Sequence, residues 1–87
     1  MTATGTVTVQ ILLFARYAEL AGRERMSLSF NGMASVADAV LRLRDTVPGL
    51  GVLPPRPLCA VNASQADPTH MLSDGDELAI LPPVAGG

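Results

Sequence analysis

Apolar residues recur along this chain with two different periods, and the period changes with position. In TVTVQILLF, Val7, Val9, Ile11 and Leu13 alternate with Thr6, Thr8 and Gln10, the repeat of a strand with one buried face. The repeat fails at its end, where Leu12 and Phe14 are apolar on the face that should meet water. ARYAELAG then predicts a helical turn or two, stopped by Gly22. A second strand over Arg25–Phe30 puts Met26, Leu28 and Phe30 on one side, and Asn31-Gly32 closes it.

The one long helix starts after Ser35, an N-cap residue with Asp38 three positions on in a variant of the capping box. Val36, Val40, Leu43 and Val47 give it an apolar stripe, and Pro48-Gly49 ends it. GLGVLPPRP is a rigid, turn-rich connection without periodicity, LCAVN is a short strand, and a minor strand fits around Gln65. ASQADPTHML is polar and irregular. SDGDE predicts a tight turn with Gly75 at the position that needs positive φ. It leads into LAIL, where Leu78 and Ile80 point one way and Ala79 and Leu81 the other.

This order of elements predicts an α+β domain, in which a single amphipathic helix covers one face of a sheet. The other face must meet water or a partner. Clustered exposed apolar residues usually mark an interface, which singles out Leu12, Phe14 and Leu81; the alternative is a loop folded back over them.

Composition narrows the field. At 87 residues the chain makes one domain near the size where a core is only just sufficient, and its 48% hydrophobic content supplies that core. With Phe14, Tyr17 and Phe30 as its aromatic residues, the core must be mainly aliphatic. A net charge of −2 and the lack of a basic run argue against binding nucleic acid, and all six positive charges are arginine. No stretch approaches the roughly 18 apolar residues of a membrane span, and MTATGT lacks the basic start of a secretory signal. A lone cysteine permits no internal disulfide, so a cytoplasmic protein is expected.

Candidate chemistry inside the domain is sparse. Cys59 shares a strand face with Val61, which favours inert packing over a reactive thiol. DGDE lacks the ligand count and spacing of a calcium loop and is read as a turn. His70 has no nucleophile near it in sequence and is read as a solvated loop residue, and Asn62 as a turn anchor. No triad, metal site or phosphate loop emerges.

LLFARYAELAG, AVN and LSDGDELAILPPVAGG, with the helix between them, resemble the ThiS/MoaD family of sulfur carriers, on the branch that serves molybdopterin synthesis. The likeness runs from Val7 to Gly87, and its most specific part is DGDE, four strand residues, then PPVAGG. The resemblance implies the ubiquitin-like β-grasp fold, a mixed four- to five-stranded sheet with one main helix on one face, over residues 7–82. Residues 1–6 are then a disordered N-terminus and 83–87 a flexible tail. It implies that the Gly87 carboxylate is adenylated by an ATP-using activating enzyme of the ubiquitin-E1 type and becomes a thiocarboxylate. Its sulfur then goes to a pterin precursor inside the large subunit of molybdopterin synthase, in a heterotetramer. On this view the chain is a non-catalytic sulfur donor that binds no cofactor or metal of its own; ATP belongs to the activating enzyme and the active site to the large subunit.

The tail suits such chemistry. A carboxylate is a poor electrophile until its oxygen becomes a leaving group, so the carbonyl carbon must reach deep into another protein. Gly86 and Gly87 have no Cβ, and a narrow channel can close around them. Pro82 and Pro83 donate no ladder hydrogen bonds and favour extended backbone, which ends the strand and aims Pro83, Val84, Ala85 and the glycines outward. Extended, Pro83 to Gly87 spans at most about 17 Å. Leu12, Phe14, Leu81 and Pro82 are the expected partner interface, with an aromatic residue as its anchor.

Other readings stay open. A glycine pair can be a frayed terminus or an expression scar. The same activated terminus would serve a carrier for thiazole or cysteine synthesis, or a ubiquitin-like protein modifier; PPV and FARYAEL favour the molybdenum branch, and a chain without lysine is at most a donor. LPPRP and the polar Gln65 depart from the family's pattern.

Overall fold

The computed structural model describes residues 5–83. The alternating apolar positions form five strands: β1 (Thr6–Leu13), β2 (Arg25–Asn31), β3 (Leu58–Val61), β4 (Ser64–Gln65) and β5 (Glu77–Leu81). They lie side by side in the order β2-β1-β5-β3-β4. β1 pairs antiparallel with β2 and parallel with β5, and β5 pairs antiparallel with β3. The first and last long strands thus meet at the centre of a mixed sheet. The ordered domain begins before the expected Val7, because Thr6 pairs with Asn31 in β1; next to it the Gly32 amide donates to the Gly5 carbonyl at 2.9 Å.

One face of the sheet is dry. Val9, Ile11 and Leu13 of β1, Leu78 and Ile80 of β5, and Cys59 and Val61 of β3 are buried there, as their alternation predicts. Each fully buried aliphatic side chain contributes about 1.5–3 kcal/mol relative to exposure. Two helices cover this face. α2 (Val36–Thr46) inserts Val36, Ala39, Val40 and Leu43, while the shorter α1 (Ala15–Ala21) adds Tyr17 and ends at Gly22, whose φ of 77° makes the left-handed stop.

The start of α2 shows how its orphan amides are satisfied. The Ser35 hydroxyl accepts from the Asp38 amide, and the Ser35 amide donates to the Asp38 carboxylate, closing the expected box. The Val36 and Ala37 amides donate instead to the His70 and Pro68 carbonyls, both at 2.9 Å. The polar segment before SDGDE is therefore clipped beneath the helix, and Leu72 enters the core. GLGVL is also more than a connector: Leu50–Val52 is a turn of 3-10 helix, with Leu50 and Leu53 both buried. Two apolar residues three apart in an irregular stretch carry too little periodicity to reveal this.

Candidate functional site

The second face of the sheet has no helix over it, and its register sorts side chains by position along the strands. Ser29 pairs with Thr8, and Ser27 with Gln10, which in turn pairs with Glu77. These polar residues satisfy one another: the Thr8 and Ser29 hydroxyls lie 2.9 Å apart, and the Gln10 amide donates to the Ser27 hydroxyl at 3.1 Å. Further along, Arg25, Leu12, Ala79, Ala60 and Gln65 form one row across all five strands. Beyond it Leu81 pairs with Leu58. The uncovered face is therefore hydrogen-bonded at one end and apolar at the other.

Exposure follows the same division. Leu12, Ala60, Ala79 and Leu81 remain partly open, and Leu58 and Phe14 are 38% and 39% exposed. The loop-covered alternative is absent among the described residues. Phe14, expected at the end of the strand, lies one residue past β1 and is the N-cap of α1. Its extended backbone (φ −121°, ψ 150°) continues the alternation before Ala15, at φ 49°, turns the chain into the helix. The ring lines a shallow cleft with Leu12, Ala15, Ala18, Glu24 and Arg25.

β5 delivers the tail to this apolar end. The strand stops at Leu81 between β1 and β3, where Pro82 is half-buried and Pro83 exposed. Val84, Ala85, Gly86 and Gly87, the expected inserting and reacting residues, lie outside the described residues. Sequence reasoning missed Ala60 and Leu58 as neighbours of Leu12 and Leu81. Alternation within LCAV places them on one face, but only the β3–β5 register brings them beside the tail root.

The remaining candidates serve the fold. Burial pushes the Cys59 thiol up to about 11, so it stays protonated and shielded at neutral pH. Asp74 accepts from the Thr8 amide at 2.8 Å, and Asp76 from the Ser73 amide and the Asn62 side chain. The first of those two bonds does most to hold the Asp76 carboxyl below its ordinary range. Asn62 also accepts from the Glu77 amide at 3.0 Å, and Gly75 takes φ 89°. DGDE is therefore a hydrogen-bonded turn, and among the described residues no three His, Cys, Asp or Glu side chains group to hold a metal ion. His70 is exposed. No helix of the described residues is long and apolar enough to cross a membrane.

Comparison with known proteins gives a consistent set of likenesses. Residues 11–87 match the model of the ThiS family. The chain is 30% identical over 84 residues to a molybdopterin synthase sulfur carrier subunit of Arabidopsis thaliana, covering 97% of this chain and 88% of that one. A protein of the same description from Chlamydomonas reinhardtii is 30% identical over 81 residues, covering 91% and 98%. Among solved structures, H. volcanii small archaeal modifier protein 1 superposes with a TM-score of 0.78 at 31% identity, covering 90% of this chain and 99% of that one. The mixed sheet with its two helices is the ubiquitin-like β-grasp.

Proposed function

The chain belongs to the ThiS family, and from that premise we propose that it is the sulfur carrier subunit of a molybdopterin synthase, with the Gly87 carboxyl as its reacting group. In the first step a carboxylate oxygen attacks the α-phosphorus of ATP in an activating enzyme of the ubiquitin-E1 type, and pyrophosphate leaves. A sulfide-level donor, hydrosulfide or its equivalent, then attacks the carbonyl carbon, AMP leaves, and a thiocarboxylate results. With the carrier docked on the large subunit as a heterotetramer, the thiocarboxylate sulfur attacks a carbon of the pterin precursor and displaces an oxygen substituent. Water then cleaves the acyl–sulfur bond, leaving the sulfur on the pterin and returning the carrier as a carboxylate. We assign these events to the cytoplasm, which suits a chain whose single cysteine permits no internal disulfide.

One observation carries the reading. The central strand β5 ends at the apolar end of the uncovered face, so the surface that can dock and the tail that must enter a pocket share one origin. The body then fixes a short tail at a partner's entrance. Extended from Pro83, the tail reaches at most about 17 Å beyond that surface.

Intact mass spectrometry tests the charging step. Incubation with the activating enzyme, ATP and a sulfur source should add about 16 Da, oxygen replaced by sulfur, and the gain should vanish when Gly87 is deleted. The likeness to small archaeal modifier protein 1 supports a second reading, transfer of the activated terminus to lysines of other proteins. In that case the same incubation with a cell extract yields lysine-linked adducts in place of a charged free carrier.

A further inference from the structure

We infer that the surface meeting the apolar end of the sheet presents carboxylates on two sides of an apolar centre, received by Arg25 and Arg56. This rests on the docking role proposed above and adds the chemistry of the partner's rim. Charge is unevenly spread over the uncovered face. Asp74, Asp76 and Glu77 gather where β5 begins, far from the tail, and Asp74 and Asp76 are tied into the turn there. At the other end Arg25 closes the row through Leu12 and lines the cleft beside Phe14. Arg56, two residues before Leu58, lines a groove with Leu58 and Pro83 on the opposite flank. Both arginines are exposed.

Both guanidinium groups are free to meet a partner. Arg42 lies 4.4 Å from the centre of the Phe30 ring and donates to the Ser29 carbonyl, whereas neither Arg25 nor Arg56 donates a side-chain hydrogen bond among the described residues. The acids beside them are Glu24, flanked by Arg23 as well as Arg25, and Asp67 in the groove of Arg56. Glu19 shares a hollow with Arg23 and Glu24, so the β2 margin is balanced overall, and what Arg25 and Arg56 offer is two exposed guanidinium groups at the near end, while the acidic turn repels a negatively charged partner from the far end. A guanidinium fork is shaped for a carboxylate. Two such forks either side of an apolar centre steer encounter and fix which way the tail points. Rim charges of this kind act on association and its salt dependence, while the apolar centre governs dissociation.

Stopped-flow association with the large subunit of molybdopterin synthase, at about 0.05 and 0.5 M salt, reads this directly. The double variant Arg25→Glu/Arg56→Glu should associate about tenfold more slowly at low salt, converge on the wild type at high salt, and dissociate within about twofold of it. Arg25→Gln/Arg56→Gln should fall between, and circular dichroism of both should match the wild type. Unchanged or faster association of the charge-reversed variant overturns the inference. Phe14→Asp separates the two levels: if it abolishes binding while the arginine variants behave as wild type, only the acidic rim is refuted. If the wild-type chain does not bind the large subunit, the docking role fails and the acidic rim with it.

Discussion

Replacing Gly49 by alanine should be far more damaging than replacing Gly75, although both glycines hold similar positive φ. Gly49 follows α2 at φ 94°, and a Cβ there would lie 2.0 Å from the Leu20 carbonyl oxygen and 2.7 Å from its carbon, backbone atoms of α1. Contact normally begins near about 3.5 Å, so α1 would have to retreat by more than about 1 Å. Gly75 sits at φ 89° with nothing within 4 Å of its added Cβ. Left-handed backbone costs an alanine about 1–2 kcal/mol at either position, and the gain from stiffening the unfolded chain is common to both. Overpacking adds about 1–3 kcal/mol at Gly49 alone. Gly75→Ala should therefore lose about 1–2 kcal/mol and Gly49→Ala about 2–5 kcal/mol, a large share of the roughly 5–10 kcal/mol that such a domain holds. Urea unfolding followed by far-ultraviolet circular dichroism measures both. The consequence reaches the site, since α1 carries Phe14 at its N-cap. Equal losses at the two positions would refute the argument that α1 is held by backbone approach to Gly49.

Three further outcomes follow from the same structure. Phe14→Asp should leave the monomer folded, because the ring is 39% exposed, yet weaken binding to the synthase large subunit at least tenfold, about 1.4 kcal/mol or more, in a calorimetric titration. Cys59, raised from 9.0 to about 11, stays protonated in the folded state after the unfolded thiol has ionised. Its contribution is complete below pH 9 and is lost between pH 9 and 11, by about 3 kcal/mol at most; pH-dependent denaturation should show this decline and Cys59→Ala should lack it. Asp76 is shifted the other way, so its contribution is complete above its ordinary value of 3.8 and is lost as pH falls through the lower folded value. Acid denaturation of Asp76→Asn should accordingly show a shallower pH dependence than the wild type.

Most of the sheet was legible because its strands obey simple alternation: Val9, Ile11 and Leu13 are buried as their spacing requires, and so are Leu78 and Ile80. α2 was legible from Ser35, Asp38 and the apolar stripe, all of which act within one helix. What escaped depends on contacts between distant segments. Leu72 is core only because the His70 and Pro68 carbonyls cap α2, and Leu50 and Leu53 only because the connector folds against it. The site behaves likewise. Leu12 and Leu81 stood out as violations of alternation, whereas Ala60 and Leu58 obey no rule that marks them, and their place beside the tail root comes from strand register. The proposed chemistry of the tail rests on its glycines and prolines in the sequence alone, since residues 84–87 lie outside the described residues.

The proposed function turns on one step, the transfer of sulfur from Gly87 to a pterin in the large subunit. A single-turnover reaction tests it most directly: the thiocarboxylated chain, the large subunit and the pterin precursor are mixed, and the carrier's intact mass is followed against product. The mass should fall by about 16 Da, sulfur replaced by oxygen, in step with the appearance of sulfur in the pterin. A carrier that keeps its sulfur while product forms, or that ends joined to the large subunit through a lysine with no sulfur in the pterin, would contradict it.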